Sequence, residues 1–320
     1  MLSICIPTLN RPGYFLECLR SIEKLFLLTQ DIELCISNNN SDLDYGEAES
    51  LVELFLTRGW CVSYTRQNER IPLDQHMHFV ISMARGTHCL LLGDDDLVVP
   101  EDVVTVQSWL KIDSPDLIVC NSHIIDEQSN VIGELPVSPG KFDNVSASFL
   151  ALRDKCSFGA VIVKKNLYDD SRFERLYGSS HAYGSFWFSL LDSPNAPCNI
   201  VVSDERITHI RKASKNYDYL TVYFRDIFYE YSIYDRWIQS SAGRRLNSEY
   251  HQNLFSKLKS IRFLLSVVER GYTFSEVTNV RPELALDYIF GFKFVVSYVT
   301  VKLGLPRIYH EFRGQISRWS

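Results

Sequence analysis

The first 120 residues alternate short apolar runs with segments of helical periodicity, and this alternation restricts the fold more than any other feature. Residues 2–6 are a continuous apolar run halted by Pro7, the length of a buried strand. Phe15, Leu16, Leu19, Ile22, Leu25 and Phe26 then recur at helical spacing, with Asn10 as the expected cap and Pro12 in the first turn. Residues 32–37 read as a second strand, closed by the turn-rich run Asn38-Asn39-Asn40-Ser41-Asp42. Leu51, Leu54 and Phe55 mark a second helix, 61–65 a third strand, and Phe79, Ile81 and Met83 a third helix ending near Gly86. Residues 88–92 and 117–120 read as a fourth and a fifth strand. Strands separated by helices need crossover connections, so the expected class is α/β with a Rossmann-like, mostly parallel sheet. Such sheets bind ligands beyond the carboxyl ends of their strands. Three of those ends carry polar clusters, Thr8-Leu9-Asn10-Arg11, residues 37–42 and Asp94-Asp95-Asp96, and the topology sets all three on one rim.

Beyond residue 140 the pattern loosens into α+β material, with 160–163 as a strand and 186–191 within a buried helix. From about 216 the chain is densely aromatic and then helical in period (Leu254, Leu258, Ile261, Leu264, Leu265, Val268), so two domains are expected, 1–215 and 216–320. Residues 284–305 are strongly apolar, but Asp287, Lys293 and Lys302 make a membrane-spanning helix costly. They read either as a buried helix or as an interfacial helix lying on a membrane. The basic residues Lys302, Arg307, Arg313 and Arg318 favour the latter.

With 33 Lys and Arg against 39 Asp and Glu, the chain has a net charge of −6 and no global field to attract nucleic acid. Any anionic ligand must be held locally, by a metal or by a few placed cations. The eight cysteines, none in a C-x-x-C, fit neither a zinc site nor a disulfide framework. The N-terminus lacks the features of a signal peptide, so reduced thiols in a cytoplasmic protein are expected.

In Leu90-Leu91-Leu92-Gly93-Asp94-Asp95-Asp96 an apolar strand runs straight into three carboxylates. Like charges this close raise one another's pKa unless a cation neutralises them. Mg²⁺ or Mn²⁺ would do so while sharing its coordination with substrate phosphates. The plainer alternative is a solvated turn whose aspartates cap the helix beginning at Pro100-Glu101-Asp102.

The order and spacing of these segments resemble family 2 glycosyltransferases of the GT-A fold. Ile4-Cys5-Ile6-Pro7-Thr8-Leu9-Asn10-Arg11 is similar to their opening strand and loop, Ile36-Ser37-Asn38-Asn39-Asn40-Ser41 to their nucleotide loop, and Ala84-x-Gly86 with residues 90–96 to their metal-binding segment. Val163-Lys164-Lys165 and the helical tail add a narrower resemblance to O-antigen sugar transferases of the abequosyltransferase type. The resemblance implies sugar transfer from a nucleotide-diphosphate donor, with Mn²⁺ or Mg²⁺, to a saccharide acceptor linked to undecaprenyl diphosphate. The enzyme would then make peripheral contact with the cytoplasmic face of the inner membrane.

By the same resemblance Pro7, Thr8 and Arg11 line the nucleotide pocket, and Asn38 takes the place of the base-reading Asp. Asp94 sits by the ribose and donor sugar, and Asp95 with Asp96 holds the metal. His209 would complete the metal sphere and Arg211 would grip the diphosphate. The Asp-to-Asn change at position 38 leaves UDP, dTDP and CDP open, because an amide both donates and accepts. No carboxylate stands in the acceptor-side segment Tyr177-Gly178-Ser179-Ser180-His181, so His181 is the candidate base or an acceptor contact. Two competing functions are a metal-dependent nucleotidyltransferase and an inert nucleotide-sugar-binding scaffold. The first would want a glycine-rich phosphate loop, which Pro7-Thr8-Leu9-Asn10 is not.

Overall fold

Residues 2–8 are wholly buried on both faces, as a strand covered by helices on either side must be. The computed structural model describes residues 1–178, 182–212, 227–269, 271–280, 284 and 286–302. Its strands are β1 (Leu2–Thr8), β2 (Ile32–Asn38), β3 (Val62–Arg66), β4 (His88–Leu91), β5 (Leu97–Val98), β6 (Leu117–Ile125), β7 (Val131–Leu135), β8 (Gly140–Asn144), β9 (Val161–Lys164) and β10 (Pro197–Arg211). The helices are α1 (Pro12–Leu28), α2 (Gly46–Thr57), α3 (Leu73–Ser82), α4 (Pro100–Ile112), α5 (Val145–Leu152), α6 (Asp170–Phe173), α7 (Phe186–Leu191), α8 (Ile227–Trp237), α9 (Ser241–Leu258), α10 (Ile261–Glu269), α11 (Phe274–Val280) and α12 (Tyr288–Lys302).

One sheet runs β3-β2-β1-β4-β9-β6-β10-β5, with β7 on β6 and β8 on β10. β1 to β4 pair in parallel, whereas β9 is antiparallel to both β4 and β6. The architecture is the expected α/β one with a mixed sheet: β1 to β4, the part read from the crossover pattern, are all parallel, β6 and β10 are parallel too, and antiparallel strands complete it. The strand order reverses between β1 and β4, the switch point at which such sheets open a crevice. Pairing of β1 with β4 stops at Cys5↔Leu91, two residues before Pro7, which has no N–H to extend the ladder. Thr8 and the acidic triplet stand together at this switch point, Thr8 Oγ1 donating to Asp94 Oδ2 at 2.8 Å. Ile4, Ile6, Leu34, Ile36, Leu90 and Leu92 pack in one core cluster with Phe15, Leu19, Ile22 and Phe26 of α1. Phe26 also stacks on Trp60 at 4.6 Å.

Asn10 does not cap α1. It adopts a left-handed backbone (φ 55°), Arg11 takes the cap position, and the Asn10 Oδ1 instead accepts the Asp42 N–H at 2.8 Å. The expected helix cap is thus a clip between two rim loops.

Contacts group Met1–Tyr217 with Ile233–Leu246 in one unit, and Asp218–Ser232 with Asn247–Ser320 in another. Part of the expected helical appendage accordingly packs within the first unit, where the Tyr234 hydroxyl donates to the Gly184 carbonyl at 2.9 Å. The second unit has its own core of Leu254, Leu258, Leu264, Val267, Val277, Phe290 and Phe294. No helix among the described residues is long and apolar enough to cross a membrane. All eight cysteines are free thiols.

At the far edge from the crevice a buried carboxylate ties three segments together. Glu33 accepts from Ser3 Oγ at 2.5 Å, from the Gly86 N–H at 2.7 Å and from the Arg85 N–H. A side chain at position 86 would sit 2.4 Å from Ser3 Oγ, so only glycine lets β4 start here. Burial alone would raise the Glu33 pKa. The bonds from Ser3, from the Arg85 and Gly86 amides and from the Arg85 guanidinium outweigh it and hold the carboxyl below its ordinary value. A depressed folded-state pKa contributes stability above the unfolded value and loses it as pH falls through the folded one. The urea midpoint should therefore drop as pH falls below about 4. Glu33→Gln, destabilised by about 1–3 kcal/mol at pH 7, should lose less over the same window. Equal acid slopes for the two proteins would remove Glu33 from this role.

Candidate active site

The carboxyl ends of β1, β2 and β4 meet at one rim through hydrogen bonds among their loops. The Asn39 N–H donates to the Thr8 carbonyl at 2.9 Å, and the Asn10 N–H donates to Ser41 Oγ at 3.0 Å. Asn39 clamps Ile71 from both sides, Nδ2 donating to its carbonyl at 2.8 Å and Oδ1 accepting its N–H at 2.9 Å. Arg66 donates to the Ser41 carbonyl at 2.7 Å, and Arg70 pairs with Asp42. Both arginines hold loops together.

Asn38 is wholly buried. Its Oδ1 accepts the Ser41 N–H at 2.9 Å, an Asx turn, and its Nδ2 donates to the Tyr64 hydroxyl at 3.3 Å. The Tyr64 hydroxyl in turn donates to Glu49 at 2.5 Å. Burial, then Glu49, pushes Tyr64 up to about 12. Since its proton is committed to Glu49, Tyr64 can only accept from Asn38, which fixes the orientation of the amide. Next to it the His76 Nε2 lies 2.9 Å from Ser37 Oγ, and burial lowers its pKa to about 4, so this imidazole is neutral.

The triplet lies across the crevice. Asp94 Oδ2 accepts from Thr8 Oγ1 at 2.8 Å and from the Leu9 N–H at 3.3 Å. Tyr45, which no sequence signal singled out, bridges the first loop: its hydroxyl contacts Thr8 Oγ1 at 2.8 Å and accepts the Arg11 N–H at 2.9 Å. The Arg11 guanidinium lies 2.6 Å from Asp95 and 3.5 Å from Asp94. Pro7 is buried in β1, behind this loop.

Asp96 turns inward. Its Oδ1 accepts the Arg211 N–H at 2.8 Å, and its Oδ2 lies where side chains at 93 or 159 would stand, 2.8 and 3.2 Å from the Cβ positions built there. Gly93 and Gly159 (φ 80°) thus leave room for one carboxylate.

Asp94 and Asp96 are 6% and 4% exposed, whereas the Asp95 side chain is 21% exposed. Burial, with Asp95 adding repulsion, raises Asp94 to about 6 and Asp96 to about 8. For Asp94 the nearby Arg11 offsets part of this. Hard oxygen donors that repel one another at a crevice mouth fit a divalent cation. Among the described residues no group of three His, Cys, Asp or Glu side chains is arranged to hold a metal ion. Mg²⁺-type sites built from one or two carboxylates and substrate phosphates need no such cage.

Two further expected ligands stand beside the triplet: His209 pairs in register with Leu97, next to Asp96, and Arg211 bonds Asp96 itself. The His209 Nε2 lies 3.4 Å from His123 Nδ1, and His123 is 3.6 Å from Glu134. Arg211 is not free to grip a diphosphate. Its side chain is 2% exposed, and it donates to the carbonyls of Asp95 (2.9 Å), Asp126 (2.8 Å) and Glu127 (3.1 Å), to Glu17 (2.9 Å) and to Ser129 Oγ (3.1 Å). It also lies over the Tyr14 ring at 4.5 Å. Arg211 fastens the triplet from behind. His181 lies outside the described residues.

A family model described as glycosyl transferase family 2 matches residues 3–169, more than half of the chain. The chain belongs to glycosyltransferase family 2. Over 122 residues it is 29% identical to abequosyltransferase RfbV of Salmonella typhimurium, covering 38% of this chain and 35% of that protein. Over 127 residues it is 24% identical to glycosyltransferase GlyG of Streptococcus pneumoniae, covering 40% of each. The aligned stretch thus spans well under half of either curated relative. Residues 1–349 of S. aureus TarS, solved with UDP and with UDP-GlcNAc, match with TM-scores of 0.57 and 0.59 at 14% and 13% identity. These cover 96% and 95% of this chain and 91% and 92% of that one. At such identity the likeness shows the fold, in keeping with the GT-A expectation.

For this family 2 chain, Arg211→Ala should cost about 1–3 kcal/mol in chemical denaturation, because it removes a buried guanidinium that donates to five acceptors at once. Arg211→Lys should recover only part of that, since one ammonium cannot span five acceptors. Full stability of the alanine variant would remove Arg211 as the fastening of the triplet.

Proposed function

We propose that this chain transfers a sugar from a nucleotide-diphosphate donor to the hydroxyl of a saccharide acceptor, the acceptor being a lipid-linked saccharide of bacterial surface-polysaccharide assembly. The observation that carries the reading is the pair of buried carboxyl groups at the β1/β4 switch point, raised by burial and by the neighbouring Asp95, with Asp95 itself more exposed and a half-exposed Arg11 beside them. Family membership and the nucleotide-sugar complex of TarS support it.

Asp95 and Asp96 would hold Mn²⁺ or Mg²⁺, which when bound supplies charge stabilisation for the departing nucleoside diphosphate. Asp94, fixed by Thr8 and the Leu9 amide, is directed at the ribose and donor sugar. Arg11 brings a guanidinium suited to phosphate oxygens. Asn38 and Ser41 shape the nucleoside side of the crevice through the Asx turn. His181 is the proposed acceptor of the proton from the attacking hydroxyl, its ordinary pKa of about 6.5 suiting removal at neutral pH.

Thermal-shift titration with UDP-, dTDP-, CDP- and GDP-sugars, with and without Mn²⁺, tests the donor assignment. One of them should raise the melting temperature, more so with metal, and Asp95→Asn should abolish the metal-dependent increment. No response to any of the four with metal present would overturn the proposal. His181→Ala should retain the donor-induced shift and lower kcat about 100-fold or more. Unchanged turnover would move the base elsewhere.

A further inference from the structure

α12 carries apolar side chains on both its covered and its open side. Phe290 (0% exposed), Phe294 (3%) and Ser297 (0%) face the core of the second unit, where Ser297 Oγ donates to the Ile261 carbonyl at 3.4 Å. Ile289, Phe292, Val295 and Val299 are 66%, 70%, 60% and 48% exposed. At about 100° per residue these four fall within about 120° of one another, a continuous strip down the helix. Single exposed apolar residues are ordinary, but a contiguous strip of aliphatic and aromatic side chains marks a surface that meets something.

The charges around the strip say what that is. The same helical spacing puts Lys293 on one border and Lys302 on the other, and there is no Asp or Glu from 288 to 302. Asp287, just before the helix, is paired with Lys259 at 2.5 Å. The sequence that follows, 303–320, carries Arg307, Arg313 and Arg318 against a single Glu311. In a chain of net charge −6 the described part of this helix thus carries two lysines beside the exposed strip and no carboxylate. An apolar strip between lysines whose stems can lie along it, ending in a basic segment, is complementary to the headgroup boundary of an anionic bilayer. Two copies meeting through this face would set lysine border against lysine border, with no carboxylate on α12 to offset them.

We infer that the Ile289-Phe292-Val295-Val299 face of α12 docks on an anionic membrane surface, the helix lying in the interface. The inference concerns a surface separate from the donor crevice and does not rest on the transferase reading. Its test is co-sedimentation of the full chain with phosphatidylglycerol-containing vesicles and with pure phosphatidylcholine vesicles, at low and high salt. The wild type should bind the anionic vesicles and be released by salt. Phe292→Glu and Val295→Glu should each lower the partition about tenfold, and Lys293→Glu with Lys302→Glu should lower it comparably. Both apolar positions are exposed, so the variants should keep the wild-type melting temperature, which separates lost docking from lost folding. Equal partition of wild type and variants, or no binding to anionic vesicles, would overturn the inference. So would light scattering showing a wild-type dimer that Phe292→Glu dissociates, since the face would then belong to a second copy.

Discussion

Three adjacent carboxylates at the end of a buried strand repel one another, and much of the first unit is arranged around that repulsion. Two of them are almost wholly desolvated, and burial penalises their charged forms more than any other influence. The surrounding chain answers with directed donors rather than with distance. Thr8 and the Leu9 amide serve Asp94, the Arg211 amide serves Asp96, and Arg11 serves Asp95 from the solvent side. Gly93 and Gly159 withhold side chains so that the Asp96 carboxylate fits. Such a site stays incompletely neutralised by the protein alone.

The same constraint explains why the loops are so heavily cross-linked. Carboxylates that share a ligand must be held at fixed separations, and loops at strand ends are ordinarily the most mobile part of such a sheet. Here the first two loops are joined through Asn10, Ser41 and Asp42, and the second is joined to the chain ahead of α3 through Asn39 and Ile71. Asparagine suits this work because its short amide both donates and accepts and because it tolerates a left-handed backbone, as Asn10 and Asn40 do. The run Asn38-Asn39-Asn40, which in sequence suggests base recognition, is in three dimensions mainly a fastening.

The parallel half of the fold was legible because it is written in local periodicity. Apolar runs of strand length alternating with amphipathic helices place β1 to β4, and the ends of those strands place the triplet. The other half, in which antiparallel strands flank the parallel pair β6 and β10, was not legible in the same way. β9 enters between β4 and β6, and the two-residue β5 pairs with β10, through contacts between segments far apart in the chain. Site residues follow the same division. Asp94, Asp95 and Asp96 announce themselves by adjacency. Tyr45, Gly159 and the buried role of Arg211 depend on partners such as Asp96, 115 residues from Arg211, that no spacing rule reaches. Asn10 shows the converse error: its type and position suit a helix cap, but a tertiary partner one loop away takes its carbonyl first.

Exposure separates the residues that can meet a ligand from those that hold the frame. Arg211 and Arg11 both contact the triplet, and the family resemblance gives each a place on the donor, Arg11 in the nucleotide pocket and Arg211 on the diphosphate. Arg211 has five protein acceptors, an aromatic ring over its plane and almost no contact with solvent, so engaging a substrate would mean breaking bonds that nothing nearby replaces. Arg11 has two carboxylate partners and a side chain 49% exposed, so its pairing is one that water or an incoming anion can displace at little cost. The two arginines thus divide the work by environment: the buried one fixes where the carboxyl groups stand, and the open one keeps a guanidinium beside them in contact with solvent.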